Sequence, residues 1–333
     1  MNNTFQNMDL SYISIKNQIP YSASIEIITK CNFNCIHCYI PKHTKVMPTN
    51  DILNIVDQLK ELGIVELTLT GGEIFVHKDI LNIIRYIRKK GIRLTLFTNI
   101  SLLTEEIVEE LSELCINEIS TTLFSLDTKI NDGITGHNDS VKLILDNAFL
   151  LKKHNIPLDI KVPVMNLNLT ECVKIKKFCE YHGFKFDYSV AITGKTNGDK
   201  EPCKYRLTSS EMKKLFCDLG QKQINTIYFD NDSPFCKAIL DSLHIDVLGN
   251  VSPCISFPII YRNIYKNTLY DIWHKSQIRN NLINLRKSQL AKCVNCSLKN
   301  ICIRCPGLAF AEDNNIIGCS YIDKSIAIAR TMI

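Results

Sequence analysis

The sequence predicts an α/β chain whose parallel strands are joined by helices, followed by a small cysteine-rich region. Three observations carry that reading. Short β-rich runs alternate with longer segments whose apolar residues recur at helical spacing, from residue 23 to about residue 190. A polar, turn-rich stretch, Gly194-Lys195-Thr196-Asn197-Gly198-Asp199-Lys200-Glu201-Pro202, then interrupts the pattern. Beyond it, seven cysteines between Cys236 and Cys319 form a spaced array.

The first strand is expected over Ala23 to Thr29, followed by a helix over Asn50 to Leu62. A second strand over Val65 to Thr70 leads into a helix over Asp79 to Lys90, and a third over Leu94 to Thr98 into a helix over Thr104 to Leu114. That last helix has a clear start, because Thr104 is a good N-cap and Glu105 and Glu106 suit the positive end of the helix dipole. The fourth strand, Glu118 to Leu123, precedes a helix over Ser140 to Asn155. The fifth, Leu158 to Val164, precedes a helix over Leu169 to His182, and Phe186 to Val190 is the sixth strand. Strands that alternate with helices pair in parallel through crossover connections.

At 333 residues the chain exceeds the usual size of one core, so two packed units or one barrel with an appendage are expected. A content of 45% hydrophobic and 22% charged residues is that of an ordinary soluble protein. The first twenty residues lack a secretory signal, and no apolar run is long enough to span a membrane. A reducing cytoplasm is therefore expected, which favours metal or redox roles for the fifteen cysteines over disulfides. The net charge of +5 is dispersed, as in the solvated face Arg85 to Lys90, and argues against nucleic acid as a partner. There is no fixed-period repeat.

Directly after the first strand comes Cys31-Asn32-Phe33-Asn34-Cys35-Ile36-His37-Cys38. Three cysteines are one ligand short of a closed tetrahedral zinc site, whereas a four-iron cluster on three thiolates keeps one iron free. A zinc site completed by His37 or His43 is the alternative. The Cys-x3-Cys-x2-Cys spacing resembles that of the radical S-adenosylmethionine (radical SAM) superfamily. The resemblance implies a partial (β/α)6 barrel with its chemistry where strands end, and a [4Fe–4S] cluster on Cys31, Cys35 and Cys38. In that family SAM chelates the free iron and is cleaved reductively to methionine and a 5′-deoxyadenosyl radical. Gly71-Gly72-Glu73 at the second strand end resembles the motif that receives the SAM ammonium group, and Thr98-Asn99 ends the third strand in a similar way. Thr121, Thr122 and Ser125 are candidate contacts to the SAM ribose or carboxylate, with Lys161 and Asn166 as weaker candidates. Each has an ordinary strand or turn role as its alternative. His37 stands where the family often has an aromatic residue whose backbone meets adenine.

The cysteine array decides the subfamily. Cys236 is followed by twelve residues, Gly249, four residues and Cys254. Cys293, Cys296, Cys302, Cys305 and Cys319 follow. A zinc ribbon built from paired Cys-x2-Cys units is the plain alternative. The array closely resembles the seven-cysteine SPASM pattern, with two residues in place of three between Cys302 and Cys305. By that resemblance Cys293, Cys296, Cys302 and Cys319 hold an outer auxiliary [4Fe–4S] cluster, and Cys236, Cys254 and Cys305 an inner one that is a thiolate short. No thiol lies among Asp230 to Phe235, and Cys203 and Cys217 are farther upstream, so the inner site is expected to be open or capped by an aspartate. Cys115, Cys172 and Cys179 are expected to pack as small hydrophobes.

These readings divide the chain into an N-terminal extension (1–21), a radical SAM core (22–195), a bridging region (196–235) and a SPASM domain (236–333). The resemblance implies an oxidoreductase that modifies a ribosomally made peptide, forming a thioether or carbon–carbon crosslink. Thr122-Leu123-Phe124-Ser125 and Asp132 to His137 resemble a stretch common in peptide-crosslinking members. Only thirty residues precede Cys31, so the precursor peptide is expected to dock directly or through a separate leader-binding protein. A reductant such as flavodoxin or ferredoxin is implied. The alternatives are oxidation of a Cys or Ser to formylglycine, other dehydrogenation, epimerisation, haem-pathway chemistry, or a non-catalytic metal scaffold. Formylglycine-forming members usually carry an aspartate after the Gly-x4-Cys cysteine, where this chain has Ile255. No catalytic acid or base is singled out.

Overall fold

Six strands form one parallel sheet in the order the alternation predicts. The computed structural model describes residues 10–41, 44–221, 226 and 228–333. After α1 (Leu10–Lys16) come β1 (Ser22–Ile28), α2 (Thr49–Glu61), β2 (Glu66–Gly71), α3 (Ile80–Lys89), β3 (Arg93–Phe97), α4 (Glu105–Glu113) and β4 (Glu118–Thr122). Next are α5 (Thr128–Thr135), α6 (Ser140–Lys153), β5 (Leu158–Pro163), α7 (Glu171–His182), β6 (Lys185–Ser189) and α8 (Ser209–Asp218). The strands are apolar and β-branched, and Ile25, Ile27 and Ile28 of β1 are fully buried. The helices cover the sheet with stripes at 3, 4 and 7 residue spacing: Ile52, Ile55, Val56 and Leu59 on α2, and Ile80, Ile83, Ile84 and Ile87 on α3. Thr104 caps α4 as its sequence predicts, its side chain accepting a hydrogen bond from the Ile107 N–H. The α5 helix was not expected; Asp127 caps it and Gly136, at φ +64°, ends it.

The cysteine-rich region continues the same sheet. It contains α9 (Ala238–Asp241), β7 (Ser242–Ile245), β8 (Asn250–Ser252), β9 (Arg262–Asn263), α10 (Leu269–Lys275), α11 (Gln277–Ile283), α12 (Ala291–Val294), α13 (Pro306–Asp313) and α14 (Tyr321–Thr331). The strand order is β6-β5-β4-β3-β2-β1-β7-β8-β9. β7 lies parallel to β1, and β8 and β9 then add in antiparallel fashion. The edge of β1 that a closed barrel would pair with its last strand is thus taken by the C-terminal region, which satisfies its backbone groups. α14 packs back on α8. No helix among the described residues is long and apolar enough to cross a membrane.

Ile25 sits at the centre of this junction, opposite Leu69 on one side and Ile245 on the other. Ile25→Ala is expected to cost about 2–5 kcal/mol. Because the sheet is continuous, urea unfolding followed by far-UV circular dichroism and by the fluorescence of Trp273, in the C-terminal region, should shift together. A shift in only one signal would show two independently folding units.

Candidate functional site

The ends of β1 to β4 gather the residues that the sequence singles out. Cys31, Cys35 and Cys38 lie in the loop after β1, partly buried and free of disulfides. The α5 end pins this loop: Asn34 N donates to Thr135 O at 2.8 Å and Ile36 N to Ile134 O at 3.0 Å. Asn99 pins it from β3, donating from Nδ2 to Asn32 Oδ1 at 2.8 Å, with Cys31 Sγ 3.9 Å from the same nitrogen. Burial pushes the Cys31 thiol up to about 11 and raises Cys35 and Cys38 as well. The like charges of Cys31 and Cys38 add to the effect at Cys35. Three partly buried thiols that repel one another as thiolates are a donor set for a soft metal centre, whose binding drives the protons off. Burial lowers His37 to about 4, so its ring is neutral, and it packs edge-on against Phe124 with centroids 4.9 Å apart. His43, the other possible zinc ligand, lies outside the described residues.

Gly71 and Gly72 are required by backbone packing. Gly71 has φ +149°, and a Cβ there would lie 2.1 Å from Ile28 O. A Cβ on Gly72 would lie 2.4 Å from Lys30 O. The two glycines let the end of β2 lock onto the chain entering the cysteine loop, through Gly72 N to Ile28 O at 2.8 Å and Glu73 N to Lys30 O at 2.9 Å. Glu73, 1% exposed, is held by three donors: Phe75 N at 2.9 Å and Thr98 Oγ1 at 2.7 Å on Oε1, and Asn99 N at 2.6 Å on Oε2. Burial raises its pKa while these hydrogen bonds oppose the rise.

Above these residues is a cavity of about 320 Å³. Cys31, Cys35, Gly71, Thr98, Asn99 and Thr122 all line it, as do Thr121 and Lys161. Two buried polar atoms on its wall, Thr121 Oγ1 and His37 Nδ1, have no hydrogen-bond partner among the described residues. Such orphans fit a polar ligand in the cavity. Gly72 and Glu73 stand behind the wall. Ser125 also falls outside it, its hydroxyl donating to Glu171 at 2.7 Å and accepting from Asp127 N at 2.8 Å. Asn166 is likewise engaged elsewhere, with Lys204 O. The sequence reading missed Tyr39 and gave Ile255 no place in the cavity, yet both line it and also a wider groove of about 540 Å³ bordered by Thr193 to Thr196 and Phe310 to Asn314. Tyr39 donates to the buried Glu26 at 3.2 Å.

The C-terminal cysteines fall into two groups. Cys293, Cys296, Cys302 and Cys319 line one small cavity of about 50 Å³, together with Lys292, Lys299 and Arg304. Burial pushes Cys302 up to about 12 and raises Cys293. Cys236, Cys254 and Cys305 form the second group: after burial, which takes Cys254 to about 11, each of Cys236 and Cys305 adds its like charge there. The short Cys302-to-Cys305 spacing therefore still sends these two thiols to different groups. Among the described residues no fourth thiol joins the second group, since Cys203 lines a different cavity and Cys217 is exposed. Asp230 is occupied by Ser233 and by Asp232 N, and the charge of Asp241 reaches Cys236. Cys172 and Cys179 are buried as expected, but Cys115 is exposed, just beyond the α4 C-cap at φ +52°.

The radical SAM superfamily model matches residues 25–179, and the SPASM iron–sulfur cluster-binding domain matches residues 236–306. An AdoMet-dependent heme synthase from Methanosarcina barkeri is 24% identical over 333 aligned positions, covering 90% of this chain and 94% of that protein. The antilisterial bacteriocin subtilosin biosynthesis protein AlbA from Bacillus subtilis is 27% identical over 72% of this chain, which spans 56% of AlbA. The crystal structure of Streptococcus suis SuiB bound to S-adenosylmethionine shares the fold, with TM-score 0.70 and 19% identity over 94% of this chain and 80% of SuiB.

Two substitutions test the wall behind the cavity. Gly72→Ala is expected to cost about 1–3 kcal/mol by forcing β2 from the cysteine loop, and to lower the iron retained on anaerobic gel filtration. Glu73→Gln turns an N–H toward one of its donors, and is expected to weaken SAM binding at least tenfold in calorimetry while iron content stays the same. Unchanged SAM affinity would separate Glu73 from the ligand.

Proposed function

Since the chain is a radical SAM enzyme with a C-terminal SPASM domain that takes [4Fe–4S] clusters and SAM, we propose that it matures a ribosomally made peptide by forming a thioether or carbon–carbon crosslink. The observation that carries this reading is the shared wall of the two cavities. Tyr39 and Ile255 border both the 320 Å³ chamber and the larger 540 Å³ cavity, so a peptide held in the larger one can present a side chain to the chamber.

Cys31, Cys35 and Cys38 would hold the catalytic cluster, and Gly71, Thr98, Asn99 and Thr122 would border SAM. Bound there, the cluster and SAM supply a 5′-deoxyadenosyl radical that removes a hydrogen atom from an unactivated carbon. Phe33, Phe97 and Phe124 give the chamber apolar walls that keep water from the reacting carbon. Asn99 and Glu73 fix the cysteine loop and the β3 end relative to each other. Cys236, Cys254 and Cys305 would hold an inner auxiliary cluster, and Cys293, Cys296, Cys302 and Cys319 an outer one. With three thiols, the inner group leaves a position that a substrate thiolate can fill. The apolar Ile255 on the chamber wall offers no proton acceptor, which disfavours formylglycine formation. SuiB has been crystallised with its precursor peptide SuiA, and a precursor peptide is the substrate class proposed here. A flavodoxin or ferredoxin as reductant, docking of the precursor either directly or through a separate leader-binding protein, and a cytoplasmic location complete the reading.

One observation favours a second reading. The AdoMet-dependent heme synthase matches over 94% of its own length, and the same groove would then receive a haem precursor.

The test is anaerobic incubation with SAM, a strong reductant and a panel of short cysteine-containing peptides, followed by mass spectrometry. The expected result is 5′-deoxyadenosine together with a peptide lighter by two hydrogen atoms. The Cys31→Ala/Cys35→Ala/Cys38→Ala variant should give neither. An unchanged peptide alongside conversion of a haem precursor would overturn the first reading in favour of the second.

A further inference from the structure

Two polar groups in the C-terminal region lack a partner, and they lie together. The Tyr261 hydroxyl and Arg279 Nε have no hydrogen-bond partner among the described residues, and each side chain belongs to a residue only 3% exposed. Arg279 stacks on Trp273, with its guanidinium carbon 3.4 Å from the ring centroid, and donates one hydrogen bond to Trp273 O at 2.8 Å. Among the described residues no carboxylate pairs with it, and the neutral phenol of Tyr261 is the titratable group within its electrostatic reach. A buried cation without an anion is strongly destabilising, so the fold carries a cost here that a bound group can relieve.

The local structure packs the elements that carry these side chains against those that carry Cys236 and Cys254. Tyr261 ends the loop of the β8–β9 hairpin that also holds Cys254, its N–H donating to Val251 O at 2.7 Å. Ser276, the N-cap of α11, donates to Tyr261 O at 3.3 Å and accepts from Arg279 N at 3.4 Å, which ties the arginine to the tyrosine. α9 begins two residues after Cys236 and packs on α11. The charges of both Cys236 and Cys254 reach Tyr261, and burial holds its hydroxyl protonated, as a donor.

We infer that Tyr261 and Arg279 form a buried donor and cation pair beside Cys236 and Cys254, which stabilises negative charge on the cluster of the inner cysteines and raises its reduction potential. The inference rests on the reading that Cys236, Cys254 and Cys305 hold a [4Fe–4S] cluster. Hydrogen bonds and buried charge near cluster sulfurs are established determinants of potential. Reduction adds one electron, supplied by the mediator, and no bond is broken. Metal binding removes the thiol protons, so the anion that Arg279 lacks arises only in the loaded protein.

The test is potentiometry monitored by electron paramagnetic resonance on the reconstituted holoenzyme. Tyr261→Phe, which keeps the ring, should lower the inner-cluster potential by at least about 59 mV, tenfold in the one-electron equilibrium constant. Arg279→Gln should lower it further. The outer-cluster potential and the iron content of Tyr261→Phe should not move. An inner-cluster signal with an unshifted potential in Tyr261→Phe overturns this inference alone. A Cys236→Ala/Cys254→Ala/Cys305→Ala variant that keeps all of its iron overturns the underlying assignment and the inference with it.

Discussion

The site depends on one backbone contact, the lock between the end of β2 and the chain leaving β1. Ile28, Thr29 and Lys30 present carbonyl oxygens where a Cβ on residue 71 or 72 would collide. With glycine at both positions, the strand ends close to hydrogen-bonding distance, and residue 73 emerges beside the cysteine loop. The buried Glu73 then draws in Thr98 and the Asn99 N–H from β3, and the Asn99 side chain reaches Asn32 and Cys31. Three segments far apart in sequence thus share one network of charged and neutral hydrogen bonds, in a low-dielectric setting where each bond counts for more than it would in water. The cavity above this network inherits its shape from it.

A second constraint is the edge of β1. An incomplete barrel leaves that edge unpaired, and β7 fills it. The pairing carries the β8 strand and its following loop to the chamber, which is why Ile255 joins Cys31 and Cys35 in its lining. The same hairpin places Cys254 near Cys236 and Cys305. The position of the inner cysteine group relative to the chamber is therefore a result of sheet register, and a change in that register would separate the two.

The parts of this arrangement that were legible in the sequence are local. Strand and helix patterns and the Thr104 cap follow from residue spacing, whereas the division of the C-terminal thiols is what the SPASM resemblance implies, and the structure gathers those thiols into the same two groups. Long-range pairing leaves no such trace. Four residues, Ser242 to Ile245, carry too little pattern to announce that they extend the barrel sheet. The eight-residue α5, with Gly133 inside it, reads as a loop, although it holds the cysteine loop in place. Ser125 and Thr122 look alike as candidate ligand contacts, yet the Ser125 hydroxyl is used inside the fold, by Glu171 and the Asp127 N–H, and Thr122 faces the cavity. Ile255 was readable only as a missing aspartate. Gly71 and Gly72 belong to a run that resembles a SAM-binding motif, and the structure shows that the atoms a Cβ at either position would meet are carbonyls of the chain itself.

The central claim is that three separate cysteine groups, at Cys31 to Cys38, at Cys236, Cys254 and Cys305, and at Cys293, Cys296, Cys302 and Cys319, each hold a cluster. Iron and acid-labile sulfide counted after anaerobic reconstitution test it most directly, on the wild type and on variants with each group replaced by alanine in turn. The account predicts about twelve irons per chain, at four per cluster, and a loss of about four with each group removed. Stoichiometric zinc, or a wild type with about eight irons that is unaffected by removal of one group, would contradict it.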